Sequence, residues 1–217
     1  MAGGSSKEDK MKKILLSALF AAALVAPLVA QAANNDAGLH FVLSGGLTFG
    51  GDKIITTTYT NGTSSDIKGG GLVQLGAGAL WQYDTIPLAL SFTANYHVDN
   101  TTAVNGEAKF SRIPYEAIAY YTGVDRWRFG AGLRSVHSAK ATAELNGARE
   151  TLTFKNTTGA VIEAGFGITP KSWINVRYVS EKYQPDRFTA TNGQTTTIVN
   201  GKSVDGSYIG VNFLYKF

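Results

Sequence analysis

Cysteine is absent from this 217-residue sequence, which excludes a disulfide framework and thiolate chemistry. Charged residues make up only 17% of the chain, and beyond residue 32 no apolar run is long enough for a membrane-spanning helix. Proline is scarce, with five residues, whereas glycine is abundant, with 25. These scarcities exclude a disulfide-rich scaffold and a helical membrane protein, and they leave strands and turns as the expected structure.

The first 32 residues differ in pattern from the rest of the chain. Residues 1–10 carry no apolar pattern and precede a second methionine, which indicates an added tag or a misassigned start. Residues 11–32 combine two lysines, an apolar stretch and an Ala-Gln-Ala motif, which together predict a secretory signal peptide. We therefore predict that residues 33–217 form the mature protein as a single domain.

Charge in the mature chain is nearly balanced. Residues 33–217 hold 16 basic and 14 acidic residues, because residues 1–32 contain four of the 20 basic and two of the 16 acidic ones. The resulting net charge of +2 is too small to predict binding to nucleic acid. The three histidines have no metal-binding spacing and no phosphate-cradling glycine loop occurs, so we expect no metal site and no cofactor.

Eight segments of the mature chain alternate apolar and polar residues with the two-residue period of a strand. They span about 38–49, 70–83, 86–98, 110–121, 127–139, 152–168, 173–183 and 207–217. The last segment ends on Phe217 with a wholly apolar face, which would be an exposed edge in a soluble protein. Closure into a barrel removes that edge, and in lipid such closure is obligatory. The predicted fold class is all-β: an eight-stranded antiparallel up-and-down transmembrane β-barrel.

The connections between these segments alternate in length. Short turns lie near 84–85, 123–125 and 170–171, and long polar connections near 51–69, 99–109, 140–151 and 184–206. This asymmetry is typical of outer-membrane barrels, so it predicts four surface loops and places both termini on the periplasmic side. Pro114 lies inside one strand and cannot donate to the ladder, which predicts a local bulge there.

Aromatic residues gather towards the ends of the predicted strands. We predict one girdle at the membrane interface near the short turns, formed by Trp81, Tyr83, Tyr121, Trp127, Trp173 and Tyr215. A second girdle towards the long connections is suggested by Phe49, Tyr96, Phe110, Tyr178 and Tyr208. Two such belts are what a barrel crossing a bilayer needs.

Six charged residues fall on the inward face at similar depth: Glu116, Arg128, Arg134, Glu163, Arg177 and Glu181. The interior of an eight-stranded barrel is just filled by side chains, and charges buried there are tolerated only when they are paired. We therefore predict one ion-pair network in the lumen. A structural polar plug is the favoured interpretation, and a gate or a proton path is the alternative.

The signal peptide, the eight alternating segments, the connection lengths and the terminal Tyr215-Lys216-Phe217 resemble the small outer-membrane barrels of Gram-negative bacteria. OmpX, OmpW and the transmembrane domain of OmpA are of this kind. The resemblance implies an integral outer-membrane protein that contacts lipid and lipopolysaccharide on its outside and is a monomer. It also implies that Phe213, Tyr215 and Phe217 form the signal read by the barrel-assembly machinery, after transit with periplasmic chaperones.

Three functions fit this resemblance. The main prediction is a structural or interaction role in the cell envelope, with a plugged lumen and four surface loops. A small channel or a lateral-gap transporter for small or hydrophobic solutes is the first alternative, and a lipid A-modifying enzyme is the second. Its polar candidates are His97 with Asp99 and His137 with Ser138, but adjacent strand residues point to opposite faces and do not make a nucleophile–base pair. We therefore predict no enzymatic activity.

Overall fold

The computed structural model describes residues 37–58, 64–103, 106–198 and 201–217. The predicted tag and signal peptide lie outside these residues. Fifteen strands and no helix occur in the part of the chain that is described. They are β1 (Gly38–Gly50), β2 (Lys53–Thr58), β3 (Ser64–Lys68), β4 (Leu72–Gln82), β5 (Leu88–Ala103), β6 (Gly106–Val124), β7 (Trp127–Leu145), β8 (Ala148–Phe154), β9 (Thr157–Thr169), β10 (Ser172–Ser180), β11 (Lys182–Tyr183), β12 (Pro185–Thr189), β13 (Thr195–Thr197), β14 (Val204–Asp205) and β15 (Tyr208–Lys216).

Eight of these strands close a barrel. The antiparallel order is β1, β4, β5, β6, β7, β9, β10 and β15, and β15 pairs back with β1. The closing register places Leu47 opposite Val211 and Leu43 opposite Tyr215. The prediction of an eight-stranded antiparallel up-and-down barrel is therefore confirmed, with the terminal strand as its closing element.

The long connections contain more strand than the sequence pattern predicts. The predicted strand 152–168 is two strands, because β8 pairs with the C-terminal part of β7 whereas β9 pairs with its N-terminal part. β8 then continues outward to β12 and β13, and β2 with β3 forms a separate hairpin. Asn146 and Gly147 join β7 to β8 with φ angles of 51° and 82°, as a two-residue hairpin turn with both central residues left-handed requires.

A bulge changes the inward set of β7. The register with β6 shifts between Ser111 and Ile113, so that β7 carries one extra residue there, and Ser138 has a φ of 53°. Pro114 itself stays opposite Val136 in the ladder. The bulge predicted at Pro114 therefore lies beside it, on the neighbouring strand, and it changes which residues beyond it face inward.

The exterior of the barrel is apolar over most of its height. Large side chains such as Phe41, Phe92, Leu133 and Ile209 are between 52% and 64% exposed, on four different strands. A water-soluble protein rarely exposes a contiguous apolar surface of this extent, whereas a barrel in lipid requires one. The outward face is therefore built to contact lipid.

Two apolar clusters fill the interior. The first, here the barrel cluster, uses residues of the barrel strands alone: Val42, Leu80, Ala89, Ile118, Tyr120, Val161, Val179, Tyr208 and Leu214. The second, here the loop cluster, also takes residues from β3, β8 and β11: Ile67, Ala108, Phe110, Val136, Ala139, Ala141, Phe154 and Tyr183. The charged inward residues contact members of both clusters.

Candidate functional site

The six charged residues predicted to face inward lie in one chain of ion pairs. Arg134 contacts two acidic partners, through Nη1 to Glu116 Oε1 at 2.7 Å and through Nε to Glu181 Oε2 at 2.8 Å. Arg177 continues the chain from Glu116 Oε2, which lies 2.8 Å from its Nη2. Strands β6, β7 and β10 supply these residues, together with the position just after β10.

The other end of the chain runs through Glu163 on β9. Arg177 Nε lies 3.0 Å from Glu163 Oε2, as an ion contact without hydrogen-bond alignment, and Arg128 Nη2 lies 3.8 Å from Glu163 Oε1. The order is therefore Arg128, Glu163, Arg177, Glu116, Arg134, Glu181, with cations and anions alternating. Three positive and three negative charges cancel, which lowers the free energy of keeping them all buried.

Arg128 is held mainly by uncharged partners. Its Nε and Nη2 donate to Asn175 Oδ1 at 3.2 and 2.9 Å, and its guanidinium lies 4.5 Å from the Tyr120 ring centroid. Tyr120 in turn donates from its hydroxyl to Glu163 Oε1 at 2.9 Å. Gly165 makes this arrangement possible, because a Cβ there would collide with Asn175 Oδ1 and approach Arg128 Nε. Asn175 and Tyr120 therefore hold Arg128 in place, since its carboxylate partner, Glu163, lies farther away.

Trp173 does not belong to the outer aromatic girdle, so that part of the prediction is wrong. Its ring lies on the inward face of β10, packed against the barrel cluster, with Arg128 4.7 Å and Lys216 5.4 Å from its centroid. Inward Asn175 and Arg177 share its parity along the strand. The girdle prediction relies on the closeness of Trp173 to a short turn. The two-residue period of the strand, in contrast, places Trp173 on the inward face, where the structure has it.

The other girdle residues point outward. Trp81, Tyr83, Tyr121 and Trp127 are exposed, and Tyr215 is half-buried beside Phe217. Two residues suggested for the second girdle, Phe110 and Tyr208, are buried inside instead. Phe110 belongs to the inward set of β6 together with Arg112 and Glu116, and Tyr208 belongs to the inward set of β15 together with Gly210 and Leu214.

Arg112 and His97 are central to the interior and were not in the predicted network. Both side chains are fully buried. The imidazole lies between two guanidinium groups, with Nε2 3.0 Å from Arg112 Nη2 and Nδ1 3.1 Å from Arg134 Nη2. A neutral imidazole has one acceptor nitrogen, so only one of these contacts is a hydrogen bond. Arg112 has the same parity on β6 as Glu116, so alternation carried through Pro114 could have found it.

The candidate pair of His97 and Asp99 has no catalytic geometry. His97 contacts Thr48 Oγ1 at 2.8 Å in addition to its two arginines, so its ring nitrogens are occupied by structural partners. Asp99 Oδ2 accepts from the Lys68 backbone amide at 2.8 Å, which ties the β2–β3 hairpin to β5. Both residues therefore stabilise the long-connection end of the interior.

In the second candidate pair, the serine that contacts His137 is Ser135 and not Ser138. Ser138 is exposed at the bulge, whereas His137 Nε2 lies 3.0 Å from Ser135 Oγ, two residues earlier on the same outward face of β7. The His137 ring also packs against Tyr115 with centroids 5.6 Å apart. The i, i+2 spacing in the sequence could have found this pair, because residues two apart share a strand face.

The three residues of the predicted assembly signal lie on the outward face of β15. The Phe217 amide donates to the Phe41 carbonyl at 3.0 Å, and the two rings lie 5.6 Å apart. Tyr215 stacks edge-on against Phe217 at 4.9 Å. Phe213 pairs with Gly45 across the closing seam. The terminal aromatic residues thus sit where the last strand meets the first.

The closed strand order, the apolar exterior and the charged interior define this chain as a small eight-stranded β-barrel of the membrane type. Among the described residues, no group of three or more His, Asp or Glu side chains is placed to hold a metal ion. No protein-family profile matches the sequence, and no curated protein matches it.

Solved structures with similar architecture are outer-membrane proteins and surface proteins of bacteria. Neisserial surface protein A is 11% identical, with a TM-score of 0.49 over 85% of this chain and 100% of its own. The attachment invasion locus protein Ail of Yersinia pestis is 10% identical, with a TM-score of 0.48 over 83% and 99%. OprG from Pseudomonas aeruginosa is 12% identical, with a TM-score of 0.42 over 83% and 96%. The barrel assignment itself rests on the strand pairing of this chain.

Proposed function

We propose that this protein is an integral outer-membrane barrel of a Gram-negative cell, with a lumen blocked by its own side chains and a structural or interaction role in the envelope. Lipid and lipopolysaccharide contact its outside, and the strands of the long connections form the surface that meets other molecules. It acts as a monomer without a cofactor, and it carries no enzymatic activity.

The observation that carries this proposal is the neutral chain of six buried charges. Arg134 also donates to the Tyr208 hydroxyl at 2.8 Å and to Gln74 Oε1 at 3.1 Å. Glu181 accepts from the Tyr183 hydroxyl, which belongs to the loop cluster. A solute path would have to break several of these contacts at once, and separating one buried partner costs about 3–5 kcal/mol. A static plug therefore fits better than a channel.

Conductance across planar lipid bilayers tests the blocked lumen. We expect no discrete conductance steps from the wild-type protein, with heat-modifiable gel mobility as the control that the barrel is folded. Replacing Arg134 or Arg128 with alanine would then give at most a small leak. Regular steps from the wild-type barrel, enlarged by either replacement, would establish the channel instead.

Labelling of single cysteines tests the orientation, because the cysteine-free sequence provides a clean background. Glu150→Cys on β8 and Lys171→Cys at the short turn before β10 are both exposed positions at opposite ends of the strands. A membrane-impermeant maleimide should label Glu150→Cys on intact cells and label Lys171→Cys only after the outer membrane is permeabilised. The reverse pattern would place the termini outside.

Exchange of the terminal aromatic tests the assembly role. Phe217→Ser should lower the amount of barrel in the outer membrane and increase the amount held with periplasmic chaperones. Ile209→Ser is the matched control, since it lies on the same outward face of β15 away from the terminus. Equal assembly of the two variants would remove Phe213, Tyr215 and Phe217 from this role.

A further inference from the structure

A groove of about 600 Å³ crosses the outside of the barrel wall over β4, β5, β6 and β7. Three outward alanines, Ala77, Ala94 and Ala117, line it between the larger side chains of Phe92, Tyr115 and Leu133. The lining also includes four residues of the inward set of these strands: Gly78, Thr93, Glu116 and Arg134. Phe92 and Leu133 are 59% and 64% exposed, so they stand out from the wall next to the alanines. This volume lies in the range of small-molecule sites, about 300–1,000 Å³.

The strand register explains the shape. Ala117 lies between Phe92 on β5 and Leu133 on β7, and Ala94 lies between Ala77 and Tyr115. Each alanine is thus flanked by bulkier neighbours or joined to another alanine, which produces a trough instead of a flat surface. Neighbouring strands are about 4.8 Å apart, so a trough over four strands is on the order of 15–20 Å long.

The end of the groove towards the long connections is polar. Ser135 lines the groove and holds His137 at 3.0 Å, and Thr158 lies opposite Ser135 on β9. Lys140 is exposed further along β7. Ser135 and His137 satisfy each other, but each retains hydrogen-bonding capacity towards a ligand. An apolar trough therefore leads to a hydroxyl and an imidazole, with a cation beyond them.

We propose that this groove binds one acyl chain of the outer-leaflet glycolipid, with the ester or amide linkage of that chain at Ser135 and His137. The occupant follows from continuity: the trough is part of the apolar surface that lipid already covers, and its polar end lies towards the long connections. Lys140 lies where it can meet a headgroup phosphate. This inference rests on the proposed placement in the outer membrane, and it adds a specific, retained lipid to the general lipid contact.

Native mass spectrometry of protein purified from outer membranes in mild detergent tests the site. Wild type should retain one lipid A-containing glycolipid per barrel. The double variant Ala94→Leu with Ala117→Leu fills the trough and should retain it about tenfold less, since that ratio corresponds to about two buried methylene contacts. Ala164→Leu, outward on β9 and outside the groove, is the matched control and should retain the lipid as wild type does.

Ser135→Ala should weaken retention less than the filled trough does, because it removes one polar contact and leaves the acyl chain in place. Equal retention by wild type and the double variant, retention of phospholipid in place of glycolipid, or a covalent acyl adduct on Ser135 would each overturn the proposal. Heat-modifiable mobility and fractionation of the same samples report on membrane insertion separately. A barrel that inserts normally but retains no lipid therefore refutes the groove alone.

Discussion

The barrel cluster and the loop cluster fill the same interior but are built by different rules. Every residue of the barrel cluster follows from the two-residue alternation of the barrel strands, from Val42 on β1 to Leu214 on β15. The loop cluster depends on the bulge in β7 and on Ile67, Phe154 and Tyr183, which come from strands of the long connections. The regular part of the wall therefore supplies one cluster, and departures from regularity supply the other.

The charged network joins the two clusters. Arg134 contacts Tyr208 of the barrel cluster, and its partner Glu181 accepts from Tyr183 of the loop cluster. A buried ion pair is weak support for stability by itself, but removal of one partner leaves an uncompensated charge. Moving one cluster relative to the other would break these buried pairs and raise the free energy. The network therefore fits a structural role better than a moving gate.

Arg134→Ala should give the largest effect, because it removes the link between the clusters, leaves Glu181 without its cation and takes from Glu116 Oε1 the shorter of its two arginine contacts. We expect the free energy of unfolding to fall by about 5 kcal/mol, at the upper end for a broken buried pair. Urea unfolding in lipid bilayers, followed by tryptophan fluorescence, measures it. Arg149→Ala, exposed on β8, is the control and should change little. Equal effects would show that the network does not couple the clusters.

Phe110→Ala should rank next and should affect the loop cluster alone. Phe110 is fully buried, with ring centroids 5.5 Å from Phe154 and 5.3 Å from Tyr183, and Arg112 lies 4.6 Å above it. Loss of the ring should cost about 3 kcal/mol of unfolding free energy. Phe49→Ala, on the outward face of β1, is the matched control. Hydrogen exchange should rise in β8 and β11 and remain unchanged in β15.

The two clusters also mark how far sequence reasoning reaches. Closure of Leu47 against Val211 was predictable, because the alternation on β1 and β15 is unbroken. Arg112 was also predictable, because it shares the parity of Glu116 on β6, where the alternation is unbroken. The inward Ala139 and Ala141 were not, because the extra residue near Ser138 reverses the facing of β7 beyond it without any signal in hydropathy. The strands β8 and β12 were also missed, since they are polar and pair outside the lipid-facing band. The two-residue period of the sequence predicts a regular barrel wall. The positions of bulges and extra strands depend on pairing between residues far apart in the chain, which the period does not show.

The inward position of Trp173, at the short-turn end of the barrel cluster, can be tested by fluorescence quenching. Since the sequence has three tryptophans, Trp81→Phe with Trp127→Phe leaves Trp173 as the sole emitter. Lipids brominated along the acyl chain should quench it only slightly, because its ring lies inside with Arg128 and Lys216. The complementary variant Trp173→Phe keeps the two outward rings and should be strongly quenched. Strong quenching of the Trp173-only protein would return this residue to the girdle.

The smallest expected effect concerns the β2–β3 hairpin, which contributes Ile67 to the loop cluster while Asp66 lies on its other side. Asp66 accepts from Thr56 Oγ1 at 2.8 Å and lies 2.7 Å from Lys53 Nζ. The Lys53 hydrogen bond first, and then that of Thr56, lower the pKa of the Asp66 carboxyl below its usual value. The stability it contributes is present above the unfolded pKa, about 3.9, and is lost as pH falls through the lower folded value.

Carboxyl NMR titration at Asp66 measures this shift directly. Lys53→Met should move the midpoint upward, because it removes the largest cause of the lowered pKa. Lys202→Met, an exposed lysine of another connection, is the control and should leave it in place. Because the pair is open to solvent, added salt should also raise the midpoint in wild type and should do so less in Lys53→Met. An unchanged Ile67 methyl signal through the titration would show that the loop cluster does not depend on this outer ion pair, and a shifting signal would show that it does.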